Sequence, residues 1–200
     1  MSKAKTKLYD QAYFERWYRG RIASHPQILA RKVALAVAMT ELHLGRPIRT
    51  VLDIGCGEAP WRKALLKLRP NLQYQGVDAS EYVVRRYGRS RNIALASFGQ
   101  MQQLRIGPPA DLLVCADVMH YVPGAELKRG LQGFAELCAG VAYLDVFCRE
   151  DAITGDFKGF IARSAGQYRT LFTNAGFSAL GSHCYLSPQC DTPVSALERL

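Results

Sequence analysis

The 200-residue sequence lacks the features that mark several special classes of protein. It has no uncharged apolar run of about 20 residues, so no membrane-spanning helix is predicted. The basic first residues are not followed by an apolar segment of signal-peptide length, and we therefore expect a cytoplasmic protein. Internal repeats and low-complexity segments are also missing. The remaining interpretation is an ordinary globular chain, long enough to form one domain with a sizeable core.

Cysteine occurs six times, but never in a pattern that binds a metal ion. There is no Cys-x-x-Cys and no cysteine–histidine pair at zinc spacing, so no metal site is predicted. Most of the cysteines lie in apolar surroundings. We therefore expect reduced core residues and no disulfide framework.

Acidic residues are fewer than basic ones, 17 against 26, which gives a formal net charge of +9. The imbalance is concentrated in residues 1–50, which hold ten Lys or Arg and three acids. A basic region of this kind can attract nucleic acid, an anionic small molecule or a membrane surface. A solvated charged face with a disordered tip is the simpler interpretation.

Beyond residue 45 the apolar pattern alternates between strand and helix. Strands are predicted at 51–54, 72–78, 92–96, 111–116 and 141–147. This alternation is typical of an α/β fold with a doubly wound, mostly parallel sheet and helices on both faces. A helix over 165–175 and a strand over 177–186 are predicted to follow. Residues 194–200 fit either one more strand or a helical turn.

Two helices are predicted before the first strand. The segment 8–21 is rich in aromatic residues, and three of them share a face at a spacing of four: Tyr9, Tyr13 and Trp17. The segment 26–44 has the 3.6-residue apolar period of a second helix. We therefore predict an N-terminal helical extension or lid over 1–45 and a core over 46–200, within one structural domain.

The most informative stretch is 51–60, with the sequence Val-Leu-Asp-Ile-Gly-Cys-Gly-Glu-Ala-Pro. A buried strand runs into a Gly-x-Gly turn, and Pro60 then begins a helix. Such a turn lets the backbone approach a nucleoside-bearing cofactor, while the helix N-terminus offers free amides to an anionic group. In the dinucleotide fingerprint a third glycine would stand at position 60, so the proline argues against a dinucleotide.

This stretch resembles the acidic-x-Gly-x-Gly-x-Gly motif of the class I S-adenosylmethionine (SAM)-dependent methyltransferases. The matching residues are Asp53, Gly55 and Gly57. The last glycine of the motif is replaced by Ala59. The resemblance covers roughly residues 50–180. It implies a Rossmann-like sheet of seven strands with an antiparallel C-terminal hairpin, SAM as the methyl donor and S-adenosylhomocysteine (SAH) as the product.

Asp78 is the second acid of the expected cofactor site. It closes the second predicted strand 25 residues after Asp53. An acid at that place accepts hydrogen bonds from a ribose diol in this family. Two structural alternatives remain open: Asp78 as a helix N-cap together with Ser80, and Asp53 as a buried acid tied only to loop amides.

The resemblance places the cofactor against the loops after the first four strands. The residues expected there are Asp53, Gly55, Cys56, Gly57, Asp78, Ala79, Ser97, Phe98, Asp117 and Val118, with Tyr13 and Trp17 from the N-terminal helix. Aromatic faces attract a sulfonium, which suits a lid; a helix merely packed on the sheet is the alternative. Where the family has an acid for the adenine amino group, Ser97 or Gln100 would bond the base and Phe98 would stack on it. Plain loop packing explains these residues equally well.

The acceptor is expected beside residues 116–123, with the sequence Ala-Asp-Val-Met-His-Tyr-Val-Pro. This segment is similar to the one that follows the fourth strand in small-molecule methyltransferases. His120 is the candidate general base or a polar wall of the acceptor pocket, and Tyr121 is the second candidate. The alternative is a histidine that caps the next helix or bonds to a backbone carbonyl. Arg163 and residues 155–160 are expected to border the acceptor and to contact an anionic substrate.

These observations predict SAM-dependent methyl transfer to an O or N atom of a small-molecule acceptor, with positioning as the main source of catalysis. The net charge favours one alternative, an RNA methyltransferase acting on a ribose, a tRNA wobble base or an end group. The segments typical of base-amine and carbon-5 pyrimidine methylation are missing from the sequence. A protein side-chain methyltransferase and a non-catalytic protein that keeps the SAM-binding fold are further alternatives. The sequence predicts no oligomeric state.

Overall fold

The computed structural model describes residues 9–19, 26–152, 156–192 and 195. Its seven strands form one mixed sheet in the order β3-β2-β1-β4-β5-β7-β6. The strands are β1 (Thr50–Ile54), β2 (Gln73–Asp78), β3 (Ile93–Leu95), β4 (Ala110–Ala116), β5 (Cys138–Asp145), β6 (Ser178–Gly181) and β7 (Cys184–Leu186). The first five are parallel, and β7 is antiparallel to both of its neighbours. The predicted doubly wound sheet with an antiparallel C-terminal hairpin is confirmed.

Helices cover both faces of this sheet. They are α1 (Gln11–Tyr13, continued by the π-helical segment Phe14–Arg19), α2 (Pro26–Leu44), α3 (Pro60–Leu68), α4 (Glu81–Arg91), α5 (Gly124–Leu137) and α6 (Ala165–Asn174). The first four contribute to one buried core, and α5 and α6 contribute to the other. Within the part of the chain that the structure describes, no helix is long and apolar enough to cross a membrane.

The central strands show why the sheet is buried on both faces. In β4, Leu112 and Val114 belong to the core on the α2 side, whereas Leu113 and Cys115 belong to the core on the α5 side. Successive side chains of a strand point to opposite faces, so a strand covered on both sides needs an unbroken apolar run. The apolar run that predicted this strand is therefore explained by its place in the middle of the sheet.

The predicted single strand over 177–186 is wrong. The segment folds back on itself as β6 and β7, which are joined by a tight turn at Ser182 and His183 with φ of +47° and +66°. Two successive left-handed residues make the type of turn that matches the twist of a hairpin. Its sequence carries no Asn-Gly or Asp-Gly signal. The segment 194–200 lies outside the described residues except for Ser195.

Among the described residues, three ion pairs connect α2 and Arg46, the second residue after it, to the rest of the fold. Arg46 binds both oxygens of Asp111 at 2.7 and 3.0 Å, Glu41 binds Arg69, and Lys32 binds Asp145. Helix α2 also places Val33, Ala36 and Val37 in the core that it shares with the sheet. The helix is therefore attached to the sheet from Lys32 onward.

Candidate functional site

The glycine turn after β1 adopts a backbone conformation that favours glycine. Gly55 and Gly57 have φ of +68° and +51°. A Cβ atom on Gly55 would lie 2.3 Å from a methyl carbon of Val118, so the turn touches the segment that follows β4. Only a residue without a side chain allows this approach. The turn thus joins the carboxyl ends of β1 and β4 in one site.

Ala59, which replaces the last glycine of the motif, keeps a backbone conformation that favours glycine. Its φ of +54° is left-handed, which costs a residue with a Cβ about 1–2 kcal/mol. Ala59 precedes Pro60 and provides no side-chain cap for α3. The first turn of α3 therefore presents backbone amides and the positive end of its dipole toward the glycine turn. These groups fit the carboxylate of a bound amino acid such as the methionine part of SAM.

Asp78 fixes the geometry of the site at the end of β2. Its Oδ2 accepts a hydrogen bond from the Gly57 amide at 2.7 Å, and its Oδ1 accepts one from the Ser80 amide at 2.8 Å. Ser80 is itself the N-cap of α4, since its Oγ accepts from the Val83 amide. Burial raises the pKa of the Asp78 carboxyl group, against the lowering effect of the amides. The Ala79 amide also interacts with this carboxylate, and the acceptor capacity that remains fits a ribose diol.

Asp53 lies beneath the glycine turn and is fully buried. Its Oδ2 accepts a hydrogen bond from the Tyr74 hydroxyl at 2.7 Å. Burial raises the pKa of Asp53 to about 7, although the Tyr74 hydroxyl acts in the opposite direction. Sequence reasoning missed Tyr74. Only the register of β1 against β2, which pairs Val51 with Tyr74, brings this hydroxyl to the acid.

The aromatic segment at the N-terminus covers the site. The Ser80 hydroxyl donates to the Tyr9 carbonyl at 2.5 Å, and the Phe14 ring stacks on Tyr82 at 5.8 Å. Burial and the nearby Tyr121 raise the pKa of both Tyr9 and Tyr13. The segment therefore lies between the ends of β2 and β4. The side chain of Trp17 lies outside what the structure describes.

The side chains of two residues expected to contact the cofactor belong to the core. The Phe98 ring packs 5.4 Å from the Phe134 ring and against Gly130 of α5, which favours loop packing over stacking on adenine. The Cys56 side chain is buried under the turn, and this burial raises the pKa of its thiol. Ser97 is half-buried, and its amide donates to Gln100 Oε1. Ala79 is exposed beside Asp78.

His120 is placed in an aromatic cluster. It is only 2% exposed, and its ring lies 4.3 Å from Tyr121, 5.4 Å from Phe147 and 5.6 Å from Phe160. Its Nδ1 accepts a long hydrogen bond of 3.4 Å from the Phe147 amide. The structure thus favours the backbone-bonded alternative, with an amide in place of a carbonyl. The Tyr121 hydroxyl donates to the carbonyl of Asp156.

The expectation that Arg163 contacts an anionic substrate is not supported. Its guanidinium donates to the carbonyls of Met119 and Val122 at 3.1 and 2.6 Å and lies beside the Tyr168 ring. A buried guanidinium needs such acceptors. Arg163 therefore stabilises the backbone of the segment that carries His120 and Tyr121. Among the described residues, no three His, Cys, Asp or Glu side chains are placed to hold a metal ion.

The sequence from Leu52 to Val141 matches a family profile described as a methyltransferase domain. This part of the chain, 90 of its 200 residues, is similar to the methyltransferase family that the profile describes. The match begins in β1 and ends in β5, so it contains the glycine turn, Asp78 and the segment after β4. SAM is the cofactor of this family. No curated protein matches this sequence.

Solved structures share the methyltransferase fold. The magnesium protoporphyrin IX methyltransferase ChlM from Synechocystis PCC 6803, with SAH bound, has a TM-score of 0.63 at 19% identity over 85% of this chain and 86% of ChlM. DesVI from Streptomyces venezuelae has a TM-score of 0.64 at 13% identity, over 86% of this chain and 92% of DesVI.

Two further similar structures are longer proteins. They are an O-methyltransferase family protein from Burkholderia thailandensis, at 16% identity, and the sugar N-methyltransferase KedS8 from Streptoalloteichus sp ATCC 53650, at 21% identity. Both have a TM-score of 0.56, and 89% and 77% of this chain are aligned. The chain spans only 61% and 62% of these two proteins.

Proposed function

We propose that this protein transfers the methyl group of SAM to an oxygen or nitrogen atom of a small-molecule acceptor. The observation that carries the proposal is the position of Asp78. Its carboxylate is held by the amides of Gly57 and Ser80 at the end of β2, beside the uncapped first turn of α3. The Asp78 carboxylate, which would bind a ribose, thus lies next to the N-terminus of α3, which would bind the carboxylate of an amino acid.

Different residues of the chain are proposed to hold different parts of SAM. The glycine turn and the first turn of α3 would hold the methionine end, and Asp78 would hold the ribose. Ala79 and Ser97 border the space in which the base would lie, and Asp117 and Val118 border the methyl group. When bound, SAM supplies an electrophilic methyl group. The contribution of the protein is to hold an acceptor in line with it and to exclude water, which can be worth about 7–11 kcal/mol.

The covering segment supports a small acceptor over a macromolecule. Tyr9 and Tyr13 lie across the site between the ends of β2 and β4, and the buried Phe14 fastens them to the core. An acceptor must then enter beside the covering segment, which suits a compact molecule better than a folded nucleic acid. Two of the similar structures are described as acting on a sugar and on magnesium protoporphyrin IX.

Calorimetric titration with SAM and SAH tests the cofactor site. Asp78→Ala removes the ribose acceptor and also releases the Gly57 amide, so we expect the affinity to fall at least tenfold. Asp111→Asn is a matched control. Asp111 is an equally buried acid, but it lies at the amino end of β4, bonded to Arg46 and the Arg49 amide. The control should lose stability and keep its SAM affinity.

The outcomes separate the competing functions. A wild-type protein that does not bind SAM at millimolar concentration overturns the proposal. If SAM binds, transfer of a radiolabelled methyl group is measured with phenols, carboxylic acids and amines as acceptors. Transfer to an RNA oligonucleotide, with an affinity that falls steeply as salt rises, would assign the RNA function instead. Binding without transfer to any acceptor would indicate a non-catalytic protein.

A further inference from the structure

Three charged or titratable side chains meet at the carboxyl end of β5, and none belongs to the site described above. Asp145 is buried there with 6% of its surface exposed. Its Oδ2 forms an ion pair with Lys32 of α2, and its Oδ1 lies 3.6 Å from Nδ1 of His183 in the β6–β7 turn. The side chains of Lys32 and His183 are 37% and 49% exposed. A buried carboxylate is thus held between two partners that reach the surface.

The cluster is continuous with the methyl-donor end of the site. The Asp145 carbonyl accepts a hydrogen bond of 3.0 Å from the Asp117 amide. Asp117 is followed by Val118, whose methyl group fills the space above Gly55. The Cys115 thiol between these strands has its pKa raised by burial and by the carboxylates of Asp53, Asp117 and Asp145. The three acids therefore converge on one region of the sheet.

The direction of β7 places His183 on the same side. Ligands of this fold bind at the carboxyl ends of the parallel strands. Because β7 is antiparallel to β5, the β6–β7 turn lies at those ends as well. The His183 carbonyl accepts from the Leu144 amide at 2.8 Å, and its ring lies 5.8 Å from the Tyr143 ring. The imidazole is thus anchored through its backbone and remains accessible, in contrast to that of His120.

We propose that His183 is the general base for the acceptor and that Asp145 orients its ring; this inference rests on the proposed function. The Asp145 carboxylate faces Nδ1 at 3.6 Å and favours the tautomer with the proton on Nδ1, which leaves the lone pair on Nε2. Nε2 takes the proton from the acceptor O–H or N–H while that atom bonds to the methyl carbon. The bond between this carbon and the sulfur of SAM breaks, and its electron pair stays on the sulfur, which gives SAH. The imidazolium later returns its proton to water. Lys32 forms an ion pair with Asp145 and holds its carboxylate in place.

The tautomer of His183 tests the pair without any turnover. Long-range ¹H–¹⁵N spectra of the full chain at pH 8 should show the Nδ1–H form in the wild type. In Asp145→Leu, or in Asp145→Ala if the first variant does not fold, His183 should change to the Nε2–H form. The signals of His43, at the far end of α2, should not move. An Nε2–H form in the wild type, or the same form in both proteins, overturns the proposal.

Turnover measurements test the proton transfer. They use whichever phenol, carboxylic acid or amine the wild type methylates. We expect His183→Gln to lower kcat at least 100-fold, in keeping with general base catalysis, and to leave the SAM affinity unchanged. His43→Gln should keep the wild-type kcat. An unchanged kcat in His183→Gln, or a larger loss in His120→Gln, assigns the base elsewhere. A wild type without SAM binding contradicts the proposed function, whereas the tautomer result still decides the Asp145–His183 pair.

Discussion

At the scale of single residues, the raised pKa of Asp53 makes the stability of the protein depend on pH. The pKa of this carboxyl group is about 7 in the folded chain, against an ordinary value of 3.8. The folded state therefore binds the proton more tightly than the unfolded state does. The contribution of Asp53 to the free energy of unfolding falls by an amount on the order of a few kcal/mol as the pH rises from about 4 to 7. Above about pH 7 this contribution stays low.

Asp53→Asn should remove this dependence. Urea unfolding between pH 4 and 8 should show a free-energy difference between variant and wild type that grows in favour of the variant up to pH 7. Tyr74→Phe is the matched change, because it removes the hydrogen bond that lowers the pKa of Asp53. The pKa of Asp53 should therefore be higher in this variant. Its free energy of unfolding should keep falling at pH values at which that of the wild type has become constant. Parallel pH curves for Asp53→Asn and the wild type would refute the raised pKa.

At this scale the sequence predicts local features better than contacts between distant segments. Gly55, Gly57 and Asp78 could be placed because each belongs to a motif or to the end of an apolar strand. The pairing of Asp145 with His183 could not be predicted, because it depends on a hairpin turn and on the order of strands in the sheet. His120 was identified by its motif, but its burial depends on side chains from beyond β5.

At the scale of elements, α1 is expected to act as a lid that detaches without unfolding the core. Phe14→Ala removes the ring that stacks on Tyr82 and should release the segment. We expect SAM affinity to fall about tenfold while the melting temperature changes little. Gln11→Ala is the control, because Gln11 is exposed on the same helix. An unchanged SAM affinity in Phe14→Ala would mean that α1 only packs on the sheet.

Helices and parallel strands follow from the sequence because their apolar periods are local. Helix α2 and strand β4 were predicted almost to the residue for this reason. The start of β5 at Cys138 was missed, since α5 runs into it without a glycine or proline between them. The residues of the β6–β7 hairpin were wrongly assigned to one strand for a different reason. Its turn consists of Ser182 and His183, residue types that do not usually adopt two left-handed conformations in succession.

At the scale of the whole molecule, SAM should stabilise the fold as a unit. The proposed site collects the loops after β1, β2 and β4 and the α1 segment, so a ligand bound there would connect elements that are far apart in sequence. A ligand at 100 times its Kd adds about 2.7 kcal/mol, which corresponds to about 5–10 °C in Tm for a chain of this size. Calorimetric melting should show this shift. Asp78→Ala should show a smaller one at the same SAM concentration, and equal shifts would place the ligand elsewhere.

The antiparallel direction of β7 has a practical consequence for handling the protein. The chain leaves the sheet at its amino end, where Ser187 donates to the Cys138 carbonyl and Thr192 donates to the His43 carbonyl. Tyr9, by contrast, lies directly over the opposite end. A protein attached to a sensor surface through position 192 therefore presents the carboxyl ends of the parallel strands to the solution. Attachment through position 9 pulls on the segment that lies over those ends.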